Sequence, residues 1–265
     1  MNQKNNKLTY TSSGVDYVSL DAVKKMAQEA GRQTTSVLQS PFTELTASRG
    51  ESAYVLETPG GYMAFVQEGL GTKNLVADEM RKITGKTYYG AIAQDTVAMI
   101  INDLITVGAK PTTILAYWAV GDGKWFEDKQ RSQDLIAGWK SACIEAGAVW
   151  GGGETPALKG IISTDTIDLG GSAYGTIAPN CLVMGDSLQI GDAIVLFEST
   201  GIHANGLTLA RTIADQLSDG YATTLSDGQM YGEALLQPTR IYSKVVQDVL
   251  DAGVDIHYMA NITGH

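Results

Sequence analysis

At 265 residues the chain is long enough for one large domain or two modest ones. Hydrophobic residues make up 44% and charged residues 18%, the balance of a globular protein rather than a disordered one. Lys+Arg 19 against Asp+Glu 29 leave a net charge of −10, which repels phosphate backbones and anionic lipid and so argues against nucleic-acid and membrane partners. A nucleotide ligand on such a chain has to be held by metal ions or backbone amides.

The opening MNQKNNKLTY is polar and lacks the apolar run of a signal peptide, and no window approaches the roughly 20 apolar residues of a membrane span. Residues 21–31 carry Val23, Met26, Ala27 and Ala30 on one face, a short amphipathic helix. ESAYVLETPGGYMAFVQ reads as a hairpin around Pro-Gly-Gly. A long helix follows from Tyr89 to Val107, closed by Gly108 with Pro111 beyond. TTILAYWAV is a buried-type strand, and a second helix runs from about Gln130 to Ala146, ended by Gly147. Cys143 lies in this helix as a small core residue. With Cys181 it makes too few thiols for a disulfide framework, as in a reducing, cytoplasmic setting. AVWGGG starts a glycine loop, and DTIDLGGSAYGTI is another strand. The apolar run AIVLFES, helices near 205–217 and 240–252, and the strand DIHYMANI complete the chain. The interleaving indicates a mixed α/β architecture. The Pro-, Gly- and Asp-bearing stretch 177–192 divides it into domains at 1–178 and 190–265.

The helix QDTVAMIINDLITVGA is the most informative segment. Asp95 and Asn102 stand about 20° apart on the helical wheel, and Asp103 lies about 80° from Asp95, within the same quadrant. The rest of the surface is apolar, so these carboxylates need partners. Oxygen ligands in that arrangement suit Mg2+; a solvent-facing or backbone-capping role is the alternative. EGLGTKNLVADEM passes from a strand into a helix through glycines that expose backbone N–H groups, and Lys73 adds a positive charge for phosphate. It matches neither the P-loop nor the dinucleotide GxGxxG spacing. VWGGGETPALKG is a similar turn, with a plain tight connection as the alternative for either. In STGIHANGLTLAR, His203 and Asn205 precede a helix that they can cap, or whose N-terminus they can turn toward an anion. His257 alternates with apolar neighbours as a core or edge residue. No His/Cys cluster has zinc spacing and no G-x-S-x-G elbow occurs.

Taken in order, YTSSGVDY, EGLGTK, DTVAMIINDL, GGGETP, IDLGGSAYG, GIHANGLTLAR, LLQPTRIYSK and MANITGH resemble the motifs of the aminoimidazole ribonucleotide (AIR) synthetase family. Its superfamily also includes selenophosphate synthetase, thiamine-phosphate kinase and the large purine amidotransferase. The resemblance spans residues 10 to 265. It implies an α/β (α+β) two-domain fold: an N-terminal ATP-binding domain whose sheet pairs into a barrel across a homodimer, and a C-terminal α/β domain. It implies ATP and Mg2+ as cofactors and formylglycinamidine ribonucleotide (FGAM) as substrate, its formyl amide oxygen activated by ATP so that the substrate's own amine closes an imidazole ring. Metal binding falls to Glu68, Asp95 and Asp103. Nucleotide contacts fall to Asp16, Gly69, Leu70, Gly71, Thr72, Lys73 and Asn102 and to Gly152, Gly153, Glu154 and Thr155. Catalytic roles fall to Lys73, His203, Asn205 and Asn261. The departures are Glu68 for Asp, Pro156 inside the glycine motif, Asn261 for His and His265 for Gly. They leave room for a relative that phosphorylates another small acceptor, or for a non-catalytic nucleotide-binding paralogue. The family's second domain continues past the last matching motif, so the expectation is a C-terminal domain that is incomplete here.

Overall fold

The computed structural model describes residues 17–263, and its frame is one six-stranded sheet of order β1-β2-β3-β6-β4-β5. The helix expected at 21–31 lies within α1 (Tyr17–Gln33), which exposes Leu20, Val23 and Met26. After the short β1 (Thr43–Glu44), the expected hairpin forms as β2 (Tyr54–Thr58) and β3 (Gly61–Gly69), closed where Thr58 pairs with Gly61. Next come α2 (Lys73–Thr84) and α3 (Tyr89–Leu104), the latter tightening into a 3-10 turn at Ile105–Val107. β4 (Lys110–Val120), α4 (Lys129–Ala146) and β5 (Val149–Glu154) form a parallel crossover, and β6 (Ile167–Ile177) inserts antiparallel between β3 and β4.

α3 is the core of the molecule. Ile92, Val97, Ile100, Ile101 and Leu104 are fully buried where it packs between the sheet and α4. The two helices cross closely because Gly90 meets Gly138: a Cβ on Gly138 would lie 2.5 Å from the Gly90 carbonyl oxygen. Contrary to the expectation that no window could span a membrane, Tyr89–Val107 has the length and apolarity to do so; 78% of it is buried inside this fold, as in a core helix. Cys143 is buried on α4, and burial pushes its thiol up to about 11.

Two expectations are corrected. VWGGGE is a strand, not a loop: its parallel pairing with β4 overrides glycine's low strand propensity. Glycine is required there, since a Cβ on Gly153 would sit 2.0 Å from the Ala116 carbonyl oxygen. DIHYMANI (255–262) forms no strand and pairs with none among the described residues. The same holds for AIVLFES, where Ile194, Val195 and Leu196 are exposed. Beyond β6 the described residues form the α-helices α5 (Leu207–Ala214), α6 (Tyr231–Leu235) and α7 (Ser243–Asp251), with a 3-10 turn at Gly220–Ala222.

Candidate functional site

The strand directions gather the two glycine motifs at one end of the sheet. β3, β4 and β5 run the same way, because β6 is antiparallel to both β3 and β4 while β5 is parallel to β4. The pairings Glu68↔Gly171, Gly171↔Ala116 and Ala116↔Gly153 form one row. Three strand spacings therefore separate Glu68 from Gly153, about 14 Å. Gly69–Thr72 lead from β3 into α2, and Gly152–Thr155 end the edge strand β5, largely exposed. The Leu70 N–H is tied to the Leu169 carbonyl at 2.8 Å, which anchors the first turn to β6. The Thr72 hydroxyl is buried without a protein partner at the start of α2, where helix N–H groups favour an anion.

Glu68, Asp103 and Asn261 come together. Glu68 faces the helical layer and shares a hydrogen bond with Asp103 from the end of α3. Asn261 Nδ2 donates to Asp103 Oδ1 at 2.7 Å. Burial and the Asp103 charge push the Glu68 carboxyl up to about 7, partly opposed by the Gly69 N–H and by Lys24 of α1. Burial also raises Asp103, against the hydrogen bonds from Asn261 and Glu68. Two adjacent carboxyls that folding makes harder to ionise are a position where a divalent cation can take the place of a proton. No three His, Cys, Asp or Glu side chains cluster tightly among the described residues. A magnesium ion here would therefore take two carboxylates and keep most of its waters, a pattern that suits this ion.

Asp95 and Lys73 lie elsewhere. Both side chains are fully buried, and Lys73 Nζ lies 2.8 Å from Asp95 Oδ1. Lys73 Nζ also donates to the Gln237 carbonyl at 2.8 Å. Asp95 Oδ1 further accepts from the Thr239 N–H at 2.8 Å and the Thr239 hydroxyl at 2.5 Å. Burial lowers Lys73 and raises Asp95; their opposite charges and mutual hydrogen bond counter both shifts, and the Thr239 donors further counter that of Asp95. The expected phosphate lysine and metal aspartate are thus bound to each other.

A cavity of about 540 Å3 gathers the remaining candidates: Asn102, His203, Asn205 and Asn261 line it with Met99, Thr239, Tyr231 and the start of α5. His203 holds φ 58, a left-handed conformation uncommon outside glycine. Its Nε2 accepts the Thr200 N–H at 3.1 Å, so the neutral ring carries its proton on Nδ1. Burial, then the charges of Lys73 and Arg240, lower its pKa and keep it neutral. Asn205 Nδ2 contacts Met99 Sδ at 3.7 Å. Asn102 donates to the Arg240 carbonyl at 2.9 Å and accepts from the Tyr242 N–H at 3.0 Å, so its amide secures protein backbone. Asp16 lies outside the described residues. Thr239, Met99 and Tyr231 were not singled out from sequence; the motif LLQPTRIYSK held the signal for Thr239, a polar residue between a proline and an arginine.

Two family models match this chain, AIR synthase related protein, N-terminal domain over residues 50–177, and AIR synthase related protein, C-terminal domain over 189–265. The chain belongs to the AIR synthase family. Among its relatives are the phosphoribosylformylglycinamidine cyclo-ligases of Synechocystis sp., 34% identical over 97% of this chain, and of Carboxydothermus hydrogenoformans, 35% identical over 97%. The chain covers 72% of each. The solved structure of AaThiL complexed with AMPPCP and TMP shares the fold, with a TM-score of 0.56 at 14% identity over 92% of this chain and 65% of that one. In this AIR synthase family member the sheet end and the His203 cavity are built from different motifs. Glu68 and Asn261, two positions where departures from the family motifs were expected, meet at Asp103.

Proposed function

We propose that this chain, with domains at 1–178 and 190–265, is a cytoplasmic ATP-dependent cyclo-ligase that converts FGAM to AIR in purine biosynthesis. What carries the proposal is the identity of 34–35% over 97% of the chain with enzymes named for that reaction. The geometry supplies places for the parts. Gly71, Thr72 and the start of α2 offer backbone amides to phosphates, and Gly152–Thr155 flank the same end of the sheet. Glu68 and Asp103 would hold Mg2+, which when bound neutralises charge on the transferred phosphoryl group. The His203 cavity takes the ribonucleotide. Its neutral imidazole can donate from Nδ1, and the Asn205 amide can bond a phosphate or formyl oxygen. Catalysis of this kind is mostly positioning of amide oxygen, phosphoryl group and amine.

ADP release from ATP and Mg2+ tests the reading. The expected result is release that depends on FGAM; release with a different small acceptor, or none with either, contradicts it.

The enzyme is proposed to work as a homodimer. The sheet face away from α3 carries Phe65, Leu115 and Tyr174 around an apolar groove of about 510 Å3, with Tyr117 exposed on the same face, and Phe65 lies 5.5 Å from Tyr174 between ring centroids. A second copy of this face would cover that surface.

A further inference from the structure

Residues 237–243 run over α3 as a strap, and the polar face of α3 holds them. Gln94 Nε2 donates to the Thr239 carbonyl at 3.0 Å. Asp95 takes both donors of Thr239, and Asn102 bonds Arg240 and Tyr242. Lys73 joins from the start of α2 and ties down the Gln237 carbonyl. The strap then reaches the cavity. Thr239 lines it, and the Pro238 carbonyl accepts the Thr200 hydroxyl at 2.6 Å. Thr200 in turn gives its N–H to His203 Nε2. A continuous chain of hydrogen bonds and one peptide segment thus runs from Lys73 through Asp95, Thr239 and Thr200 to His203.

We infer that Lys73 and Asp95 are positioning residues that lock the 237–243 strap and so set the His203 cavity, and that Lys73 is not a phosphate contact. Lys73 already uses two of its three N–H donors on protein oxygens and is 0% exposed. Swinging Nζ to a phosphate would break both bonds and leave the Asp95 carboxylate buried without its counter-charge, which is strongly unfavourable. Asp95 Oδ1 accepts three donors, from Lys73 and from the Thr239 N–H and hydroxyl, while its Oδ2 is buried without a protein partner. The inference rests on reading the His203 cavity as the substrate site.

The test compares Lys73→Met, Thr239→Val and Thr239→Ser in the whole protein. It measures amide hydrogen exchange across 237–243, ATP·Mg2+ affinity by calorimetry, and kcat and KM for FGAM. Thr239→Val and Lys73→Met are expected to speed exchange in the strap and raise the KM for FGAM about tenfold, with ATP affinity changing less than about threefold. Thr239→Ser keeps the hydroxyl and restores parental values. The double variant Lys73→Met/Thr239→Val should be no worse than the worse single change, because both act through one network. If Lys73→Met weakens ATP more than tenfold while leaving adenosine binding and strap exchange unchanged, the lysine is a phosphate ligand and the inference falls. Should Lys73→Met not fold, Thr239→Val against Thr239→Ser still decides: equal exchange and equal KM overturn the inference. Inactivity of the parent on FGAM would sink the cyclo-ligase reading, whereas the exchange comparison tests the lock without substrate.

Discussion

Glu68 is held with its carboxyl pushed up to about 7, from an ordinary value of 4.5, by burial and the neighbouring Asp103. An acid raised by folding favours the folded state while it stays protonated. Its contribution is therefore present below pH 4.5 and is lost as pH rises through about 7. Without divalent cations, the melting temperature is expected to fall across that window in the parent more than in Glu68→Gln, and Mg2+ should offset the fall. Melting curves with and without Mg2+ check this; a parent curve identical to that of Glu68→Gln removes Glu68 from the acid pair. Glu68→Asp should keep the Mg2+ requirement of the parent and Glu68→Ala should raise it, because a carboxylate one methylene shorter can still reach the ion through water. Activity against Mg2+ concentration separates the two, and a silent Glu68→Ala contradicts the metal assignment. At this scale the sequence was informative about which residues are unusual and uninformative about their partners. Asp95 and Asp103 share a helix quadrant, yet one is neutralised by Lys73 and the other meets Glu68. Those partners arrive from other segments, Lys73 from 22 positions before Asp95 and Asn261, which also holds Asp103, from 158 positions beyond it, so no local spacing encodes them.

Among the elements, α3 was legible because its apolar residues cover most of its surface and Gly108 ends it with φ 83. β5 was not, since three consecutive glycines mimic a loop and only pairing with β4 makes them a strand. DIHYMANI has strand-like alternation, but alternation reports propensity rather than a partner, and this stretch has no ladder among the described residues. Its Asn261 nevertheless reaches Asp103. Arg240–Tyr242 do not join α7, because Asn102 holds the Arg240 carbonyl and Tyr242 N–H outside the helix. Asn102→Ala leaves both strap groups without that partner and should cost about 1–3 kcal/mol of stability. Urea unfolding reads the loss; an unchanged midpoint would show that the strap is held without Asn102.

For the molecule as a whole, the sheet divides two environments: α3 and α4 cover one face, and the other presents Phe65, Leu115, Tyr117 and Tyr174. Leu115 is 46% exposed on that surface. If two copies pack there, Leu115→Glu places a charge in the interface and should convert dimer to monomer at micromolar concentration, as read by sedimentation velocity. A parent that sediments as a monomer contradicts the dimer. In the proposed cyclisation ATP activates the formyl amide oxygen of FGAM, and that oxygen leaves with phosphate as the ring closes. FGAM carrying heavy oxygen in its formyl group, incubated with the protein, ATP and Mg2+, is expected to yield inorganic phosphate bearing the label together with AIR and ADP. Phosphate without the label, or label released as water, would contradict the account.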